Sequence, residues 1–583
     1  MQKSEIRRWV EYKAEVVSDL QWHGATWYLD RYKYALVDTD KRLGDYCMEN
    51  ITHPDRHNLY EILSVRRFFQ MLDRHEWDKK LVRKFIKFYQ ALKFSGLSGR
   101  QRYKLTPVQT FQFANLFGFK DDNGNRLIQN AIWFVPRKFS KTTSAAALAV
   151  WELFFGDNNA QAYVAANSYN QAKVCFDEIR KIVLGIDPSG RHFRVNREKI
   201  MWQRSKRINR DAFAECLSGK ADNKDGLNAS LVIVDEYSQA KDTKTKRGSE
   251  LKDVLTTSMG ARKNHLCLVI TTASDVLDGP FYKELEGAEK VLRGEAENDR
   301  LFASLFMPDA DDREDDPRTW AKVQPHLGVT VQPDYYANEY ANAQLTADDM
   351  LAFRTKNLNL FVKNEEKCWF TEEGARKLLV DFDIEKYDGT EEVFVSFDLS
   401  VKDDFSAVSY CVYNGKIDKF MIATEYYFPE DCLKDHPNRE LYKEWIDEGY
   451  LKLCKGRVID VRMIANDIMS KRLRIVRIGF DSYKAQDLQA ILASWGSNGI
   501  LQPYRQTYGA FNLPVESFEM MAYSEPPKIM LNNNPINAYC LNNCYIDEDN
   551  LGNKKPVKIS HNRKIDGAIT MLMDIGMAAT YQR

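Results

Sequence analysis

The sequence predicts an α/β protein in which a helical N-terminal region precedes a parallel-sheet domain and then a mixed-sheet domain. Between about 100 and 275, four apolar strand-like runs alternate with helical segments, which is typical of a parallel sheet. One run leads into a basic turn that opens a helix, and another ends in Asp235-Glu236. From Glu392 onward, three strands joined by short turns predict an antiparallel meander, followed by a helix, a further strand and a final helix.

The chain length predicts several domains. At roughly 150 residues per domain, 583 residues correspond to two to four of them. We expect a helical region over 1–100, the parallel-sheet domain over 101–310, a helical lid and linker over 311–385, and the mixed-sheet domain over 386–583. Lys+Arg and Asp+Glu both total 83. A nucleic-acid contact in such a neutral chain must be local or shared among subunits.

The cysteine pattern and the apolar segments exclude several protein classes. The ten Cys form no CxxC pair and lack partners at zinc spacing, which favours reduced thiols in a cytosolic protein. The N-terminal MQKSEIRRWVEYK is charged throughout and is no signal peptide. The longest apolar stretch, Ala145–Phe155, is too short to span a bilayer, so we expect no membrane association.

The segment Ala131–Ser144, AIWFVPRKFSKTTS, combines a strand, a turn and the start of an Ala-rich helix. A phosphate-binding loop has the consensus G-x-x-x-x-G-K-[ST], and here Val135 and Ser140 replace its two glycines. Lys141 is expected to contact the β- and γ-phosphates of ATP, and Thr142 the Mg²⁺. The nucleotide-binding residues expected around it are Arg137, Lys138, Ser140 and Thr143. Arg137 is either an arginine finger acting in cis or a surface cation.

The strand Leu231–Val234 ends in the two carboxylates that ATP hydrolysis needs. Asp235 is expected to hold Mg²⁺, through water, and Glu236 to orient or deprotonate the attacking water. A third strand ends at Thr271-Thr272, whose hydroxyls are suited to sensing the γ-phosphate. Loop, acidic pair and hydroxyl pair together predict a P-loop NTPase domain that uses ATP and Mg²⁺.

These motifs resemble those of the terminase large subunits of tailed bacteriophages. PRKFSKTT is similar to that family's phosphate loop, and LTPVQTFQF (Leu105–Phe113) to its adenine-reading motif, which would place Gln109 on the base. Three further segments follow in the family's order: YVAANSYNQA (Tyr163–Ala172), GLNASLVIVDEYSQA (Gly226–Ala240) and VITTAS (Val269–Ser274). The resemblance implies a RecA/ASCE-like ATPase fold.

A second site is predicted from three aspartates in the C-terminal half. Asp398 ends the first meander strand, Asp481 ends a later strand and Asp566 opens the last helix. RNase H-like nucleases supply their carboxylates in this order, and VSFDLSVKDDFSA also resembles the terminase nuclease signature. Two ions about 3.5–4 Å apart require such converging carboxylates, and the oxygen ligands favour Mg²⁺ or Mn²⁺ over zinc. Each aspartate alone is also compatible with a solvated strand or helix end. Asp404 is a weaker candidate ligand. His561 could assist proton transfer and Lys484 could contact DNA phosphate, and each is also compatible with an ordinary surface residue.

The resemblance implies ATP-driven translocation of double-stranded DNA into a prohead and endonucleolytic cutting of concatemeric viral DNA. It further implies a homo-oligomeric ring on the portal protein, a pentamer in the family, with a monomer in solution as the alternative. A small terminase subunit as partner and a location in the host bacterial cytoplasm are implied likewise. One alternative is a helicase-nuclease of repair or defence, which would need a second RecA-like domain. Another is a degenerate DNA-binding scaffold, and an ATPase assay would distinguish it from an active enzyme.

Overall fold

The structure is a computed structural model of the chain. It describes residues 3–96, 99–203, 211–217, 226–241, 247–277, 279–362, 368–387, 389–400, 405–434, 436, 438–481, 486–549, 551–558 and 564–581. The chain divides into two compact units, residues 1–363 and residues 364–583. Each unit is described by itself.

The first unit begins with helices and continues as a sheet flanked by helices. Its helices are α1 (Lys3–Gln21), α2 (Gly24–Arg31), α3 (Lys41–Thr52), α4 (Leu59–Arg74), α5 (Lys79–Ala91), α6 (Pro107–Gly118), α7 (Lys141–Phe155), α8 (Tyr169–Ile186), α9 (Glu250–Thr257), α10 (Pro280–Arg293), α11 (Pro317–Val323), α12 (Tyr335–Ala343) and α13 (Ala347–Ala352). Its strands are β1 (Glu76–Trp77), β2 (Phe94–Gly96), β3 (Gly99–Gln101), β4 (Phe119–Lys120), β5 (Asn130–Phe134), β6 (Gln161–Ala166), β7 (Phe193–Val195), β8 (Lys199–Trp202), β9 (Phe213–Leu217), β10 (Leu231–Asp235), β11 (Leu266–Thr271) and β12 (Leu301–Leu305).

The large sheet of this unit confirms the predicted parallel architecture at its centre. Its order is β12-β5-β11-β10-β6-β9-β8-β7, with the strands from β12 to β9 parallel. β8 and β7 extend one edge in antiparallel pairing. The four predicted strands are β5, β6, β10 and β11, and the helix predicted over Lys141–Phe155 is α7. Local apolar runs therefore specified the centre of the sheet but not its edges.

The N-terminal region is helical, as predicted, and its helices are capped and partly buried. Asn58 accepts a hydrogen bond from Glu61 N at the start of α4, and Asp78 accepts one from Leu81 N at the start of α5. α5 buries one stripe, Val82, Phe85, Ile86 and Tyr89, at the spacing of an amphipathic helix. Phe85 stacks on Phe117 of α6 at 4.4 Å between ring centroids, so the helical region packs directly onto the parallel-sheet domain.

The second unit is built around a mixed sheet. Its helices are α14 (Glu372–Arg376), α15 (Arg439–Asp447), α16 (Val461–Ser470), α17 (Gln486–Leu492), α18 (Tyr508–Ala522), α19 (Pro535–Asn543) and α20 (Asp566–Thr580). Its strands are β13 (Leu379–Val380), β14 (Glu392–Asp398), β15 (Ser406–Asn414), β16 (Lys419–Pro429), β17 (Leu451–Cys454), β18 (Arg474–Phe480), β19 (Leu501–Pro503), β20 (Ile529–Asn532), β21 (Cys544–Glu548) and β22 (Lys554–Lys558).

The sheet of the second unit contains the predicted meander. Its order is β13-β20-β16-β15-β14-β18-β19, and β17 also pairs with β16. β14, β15 and β16 are antiparallel to one another, whereas β18 runs parallel to β14. α20 packs on β14 and β15, and its residues from Asp566 to Met577 are buried.

The division between the units lies earlier than the predicted 385/386 boundary. β13 pairs with β20, and α14 packs on α19, so both belong to the second unit. The predicted lid and linker over 311–385 is accordingly split. Its first part forms α11 to α13 and its last part joins the mixed sheet. The strand β12, at Leu301–Leu305, adds to the first sheet within the predicted parallel-sheet domain, although it was not among the four predicted strands.

Among the described residues, no helix is long and apolar enough to cross a membrane.

Candidate active sites

The strand order of the first sheet brings the predicted nucleotide motifs to one edge. β11 lies between β5 and β10. Because all three strands are parallel, their carboxyl ends meet at the same edge of the sheet. The basic turn after β5, Thr272 after β11 and the Asp235-Glu236 pair at the end of β10 are therefore neighbours.

The turn after β5 is strained at two non-glycine residues, one of which, Ser140, replaces a consensus glycine. Lys138 and Ser140 both lie in the left-handed region, each with φ of 67°. Such positions favour glycine and cost other residues about 1–3 kcal/mol. Phe139 is buried between them, against the rings of Phe306 and His326 at 5.2 and 4.6 Å. The buried ring holds a strained loop in place, and α7 then begins at Lys141 with backbone N–H groups that have no intrahelical partner.

Lys141 lies at the centre of this edge. Its Nζ is 2.7 Å from Glu236 Oε1 and also 2.7 Å from Thr272 Oγ1. The Thr272 hydroxyl in turn donates to Val135 O at 2.8 Å. The lysine, the predicted water-orienting carboxylate and one predicted sensor hydroxyl therefore form one contact network.

Glu236 is held in a strained conformation by its neighbours. Its φ is +53°, in the left-handed region, and its N–H donates to Ile270 O at 3.0 Å. Asn167, which follows β6, donates its side-chain amide to Glu236 O at 3.0 Å. Strain at a non-glycine residue persists only where the surroundings fix it. Asn167 lies within the segment Tyr163–Ala172 and is a positioning residue that the sequence analysis did not single out.

Asp235 is almost fully enclosed, at 4% exposure. Its Oδ1 has no hydrogen-bond partner among the described residues. Burial raises the pKa of Asp235 to about 7, with the nearby Lys141 charge opposing the shift. A buried carboxylate oxygen without a partner, one residue from Glu236, is suited to accept a hydrogen bond from a metal-bound water. These residues fit a Mg²⁺ ion, with Thr142 on the first turn of α7 as the other expected donor.

Two predicted nucleotide residues are engaged within the protein. Thr271 Oγ1 accepts a hydrogen bond from Ser238 N at 3.0 Å, which ties β11 to the turn after Glu236. Gln109 is buried, accepts from Thr106 N at 3.1 Å and donates to Ser144 Oγ at 3.1 Å. In this structure Gln109 thus closes the capping box of α6 and links it to α7.

Arg137 is exposed, and its backbone is held by a segment that the sequence analysis missed. Arg137 N donates to Lys356 O at 2.9 Å, and Lys356 Nζ donates to Ala273 O at 2.8 Å. Asn359 accepts from Ala273 N at 2.8 Å and donates to Phe306 O at 2.7 Å. Burial lowers the pKa of Lys356, and Glu236 opposes the shift. Residues 356–359, named here the clamp, therefore connect the phosphate loop to the segment after Thr272.

The second predicted site begins at two neighbouring strand ends. Phe397 of β14 pairs with Phe480 of β18 in parallel register. Asp398 and Asp481 are the next residues, so the spacing of adjacent strands places their backbones about 5 Å apart. Both side chains are partly exposed.

Asp566 lies in the first turn of α20, at 6% exposure. The next residue, Gly567, lies against Tyr426 of β16, and a Cβ atom there would be 2.0 Å from the tyrosine hydroxyl oxygen. Tyr426 is fixed by donating to Asn537 Oδ1 at 2.7 Å. The absence of a side chain at Gly567 therefore allows the start of α20, with Asp566, to lie on the sheet.

A fourth aspartate connects α20 to the meander. Asp574 is fully buried and accepts hydrogen bonds from Ser396, two residues before Asp398, and from Ser409 at 2.6 Å. Ser396 and Ser409 face each other across β14 and β15. Burial raises the pKa of Asp574 well above its ordinary value, with the two serine hydrogen bonds opposing the shift. Asp574 is a buried positioning residue, and its place two turns after Asp566 was the only sequence signal for it.

Within the part of the chain that the structure describes, no group of three or more His, Cys, Asp or Glu side chains is arranged to hold a metal ion. The donor chemistry of Asp398, Asp481 and Asp566 still fits a hard cation. Asp404, Lys484 and His561 lie outside the described residues.

Two family profiles match the chain. The profile described as "Terminase large subunit, ATPase domain" matches residues 107–290. The profile described as "Terminase large subunit, endonuclease domain" matches residues 295–582.

Individual relatives are more distant. The chain is 27% identical over 382 residues to Protein YmfN of Escherichia coli (strain K12), covering 62% of this chain and 79% of that protein. It is 23% identical over 497 residues to the terminase large subunit of Lactococcus phage p2, covering 82% and 88%. The crystal structure of the HK97 bacteriophage large terminase superposes with a TM-score of 0.47 at 19% identity, covering 85% of this chain and 99% of that one.

Proposed function

We propose a role for each of these sites from one premise: the chain belongs to the terminase large subunit family. It has an ATPase domain and an endonuclease domain, and its function is the packaging and cutting of phage DNA. The observation that carries the assignment of residues is the meeting of Lys141, Glu236 and Thr272 at one sheet edge.

In the ATPase site, Lys141 and the N–H groups at the start of α7 bind the phosphates of ATP. Glu236 is the general base, since its carboxylate lies beside the lysine that contacts the transferred phosphoryl group. Asp235 and Thr142 would hold Mg²⁺, which when bound neutralises charge on the phosphate oxygens. Thr272 contacts Lys141 directly, so displacement of the lysine by phosphate is transmitted to β11. Arg137 and Lys138, both exposed, add positive charge at the mouth of the site.

In the endonuclease site, Asp398, Asp481 and Asp566 would hold one or two Mg²⁺ or Mn²⁺ ions. Such ions activate water and stabilise the leaving oxygen of a phosphodiester. The protein's own contribution is to position the three carboxylates. The parallel pairing of Phe397 with Phe480 supports bringing Asp398 and Asp481 to one sheet edge, and the Gly567–Tyr426 contact and the Asp574 hydrogen bonds support the position of α20, on which Asp566 lies.

The partners follow from the family. Double-stranded DNA is the substrate of both domains, and the small terminase subunit would select it. We further propose that the subunits assemble as a ring, a pentamer, on the portal protein of the prohead in the host cytoplasm. Such a ring suits a chain with zero net charge, because only the surface that faces DNA needs to be basic.

A helicase-nuclease is the less suitable interpretation. Such an enzyme would have a second parallel-sheet motor domain after the first. The second unit here holds a mixed sheet with the antiparallel β14-β15-β16 meander instead.

Hydrolysis of ATP by the purified full chain, with and without linear duplex DNA, tests the proposal. We expect Mg²⁺-dependent hydrolysis that DNA stimulates, and divalent-metal-dependent nicking of plasmid DNA by the same preparation. Lys141→Ala should lose only the first activity. A preparation in which Lys141→Ala hydrolyses ATP at the wild-type rate contradicts the assignment of the ATPase site.

A further inference from the structure

The strongest local charge in the chain lies on α5 and the hairpin that follows it. Residues 79–104 contain nine Lys and Arg residues and no Asp or Glu, in a chain whose total charges cancel. These residues are Lys79, Lys80, Arg83, Lys84, Lys87, Lys93, Arg100, Arg102 and Lys104. This segment belongs to neither predicted active site.

The structure turns most of these cations to one outer surface, named here the basic surface. α5 buries its apolar stripe against α6 and α7, and Lys80, Lys84 and Lys87 lie exposed on the opposite face at helical spacing i, i+4 and i+7. The hairpin continues this surface, because Phe94 of β2 packs on Tyr89 of α5 at 5.0 Å between centroids. Arg100, Arg102 and Lys104 are exposed there.

Cations on one side of α5 contact neighbouring groups, and Glu152 and Asp157 line the same pocket as Lys84. Lys79 pairs with Asp38 at 3.5 Å, and Arg83 donates to Thr39 O at 3.2 Å. Lys84 instead lies over the exposed ring of Phe155 at 4.0 Å from its centroid. The face with Lys80, Lys84 and Lys87 therefore presents positive charge together with an aromatic ring.

The basic surface is also separate from the ATPase site. Lys84 contacts Trp151 and Phe155 near the end of α7, whereas Lys141 begins that helix. Ten residues of helix correspond to about 15 Å. Substitutions at Lys80, Lys84 and Lys87 can thus change partner binding without altering the residues proposed to bind phosphate.

We propose that the basic surface binds the phosphate backbone of double-stranded DNA during packaging, without reading its sequence. The proposal rests on the proposed function of this chain as a DNA-translocating ATPase. A row of cations on one helix face is the electrostatic footprint of a backbone contact. Lys80, Lys84 and Lys87 are all lysines, and lysine binds phosphate as a point charge without the fixed fork of arginine.

The salt dependence of DNA binding tests the proposal. The triple variant Lys80→Gln, Lys84→Gln, Lys87→Gln is compared with wild type by fluorescence anisotropy on a short labelled duplex, between about 50 and 200 mM salt. Each lost phosphate contact reduces the slope of log K against log salt by about 0.9, so three contacts reduce it by about 2.7. We expect that reduction, weaker binding at low salt and unchanged ATP hydrolysis in the absence of DNA.

Two matched variants separate charge from structure. Lys80→Arg, Lys84→Arg, Lys87→Arg keeps the charge and should bind DNA as wild type does. Lys33→Gln, Lys283→Gln, Lys290→Gln removes three exposed lysines elsewhere in the same unit and should leave the slope unchanged.

A wild-type slope in the triple Gln variant overturns the proposal. An acidic protein surface would then be the remaining candidate to bind the basic surface. Equal loss in the Arg and Gln variants overturns it as well. Absence of ATP hydrolysis in wild type would instead refute the proposed function, and the DNA comparison would still test the surface.

Discussion

Lys141 Nζ lies 2.7 Å from Glu236 Oε1, so the lysine proposed to bind phosphate and the proposed general base form an ion pair. Both side chains are mostly screened from solvent, at 11% and 25% exposure. The γ-phosphate of ATP would compete with Glu236 for the same ammonium group. Binding of ATP would then release the Glu236 carboxylate toward water, and this release would couple arrival of the substrate to availability of the proposed base.

Glu236→Gln should separate binding from hydrolysis. The amide keeps the shape of the side chain but cannot take a proton, so we expect hydrolysis to fall about 10²–10⁴-fold. The affinity for ATP should stay equal or rise, because residue 236 then no longer competes for the Lys141 ammonium group as an ionic partner. Titration with a fluorescent ATP analogue and a phosphate-release assay measure the two effects. Lys141→Ala is the contrasting variant and should lose both. Wild-type hydrolysis by Glu236→Gln would show that another group is the base.

Asp235 should make the stability of the chain depend on pH. Its pKa is about 7 in the folded chain, whereas an unfolded aspartate titrates near about 3.9. The folded chain therefore binds more protons between these values, and its free energy of unfolding falls as the pH rises from about 4 to about 7. Asp235→Asn removes this titration, so it should melt above wild type at about pH 8 and near it at about pH 5. ATP hydrolysis should be lost. A pH-independent difference in melting temperature between the two proteins would contradict the burial argument.

Lys356→Met should impair hydrolysis through the clamp. The substitution keeps most of the side-chain volume but removes the donor to Ala273 O, and hydrogen bonds to charged groups contribute about 1.5–3 kcal/mol. We expect a lower kcat with little change in KM for ATP, because the phosphate contacts themselves remain. Hydrogen exchange should become faster at residues 273–277 only. A general loss of stability would instead accelerate exchange throughout the unit. Lys290→Met, an exposed lysine of the same unit, is the control. An unchanged kcat in Lys356→Met would show that the clamp does not contribute to ATP hydrolysis.

Local patterns predicted the elements of both sites better than the contacts that hold them. The strands, the helix that Lys141 opens and the order of the three aspartates follow from residues close in sequence. Lys356 contacts Ala273 across 83 residues, and Ser396 contacts Asp574 across 178. Sequence periodicity relates residues only a few positions apart, so it cannot predict contacts over such separations. The strand β12 was missed for a similar reason, since pairing with β5 rather than a distinctive local pattern makes it a strand.

Ser140 illustrates a departure from a motif that the fold accommodates. Its φ of 67° is the conformation for which a glycine is usual, so the backbone follows the motif where the residue does not. The buried contacts of Phe139 with Phe306 and His326 supply the constraint. A consensus comparison alone cannot reveal this, because the compensating residues lie far along the chain.

Asp574 should affect cutting without touching the metal site. Asp574→Ala leaves the Ser396 and Ser409 hydroxyls without this buried partner, at a cost of about 1–3 kcal/mol for each unsatisfied group. Asp574→Asn keeps a carbonyl acceptor and adds donors, so it should be tolerated, because burial already favours the neutral acid. We expect loss of plasmid nicking and a lower melting temperature for the Ala variant only, with ATP hydrolysis unchanged in both. If the two variants behave alike, the role of Asp574 is not the hydrogen-bond geometry proposed here.

The three aspartates of the endonuclease site should each be required for cutting and dispensable for ATP hydrolysis. Divalent ions held close together need several carboxylates, so loss of one should reduce metal affinity as well as geometry. Asp398→Ala, Asp481→Ala and Asp566→Ala should therefore each abolish nicking of plasmid DNA over a range of Mg²⁺ and Mn²⁺ concentrations. Their effects should be non-additive, because a centre that one substitution has disabled is not disabled further by a second. Mn²⁺ binding measured by calorimetry on the full chain without DNA gives a readout apart from activity, and each variant should weaken it. Asp381→Ala, an exposed aspartate of the same unit that lies outside the proposed site, should change neither cutting nor Mn²⁺ affinity. An active Asp398→Ala enzyme, or one that loses cutting with wild-type Mn²⁺ affinity, would show that the ions are held elsewhere.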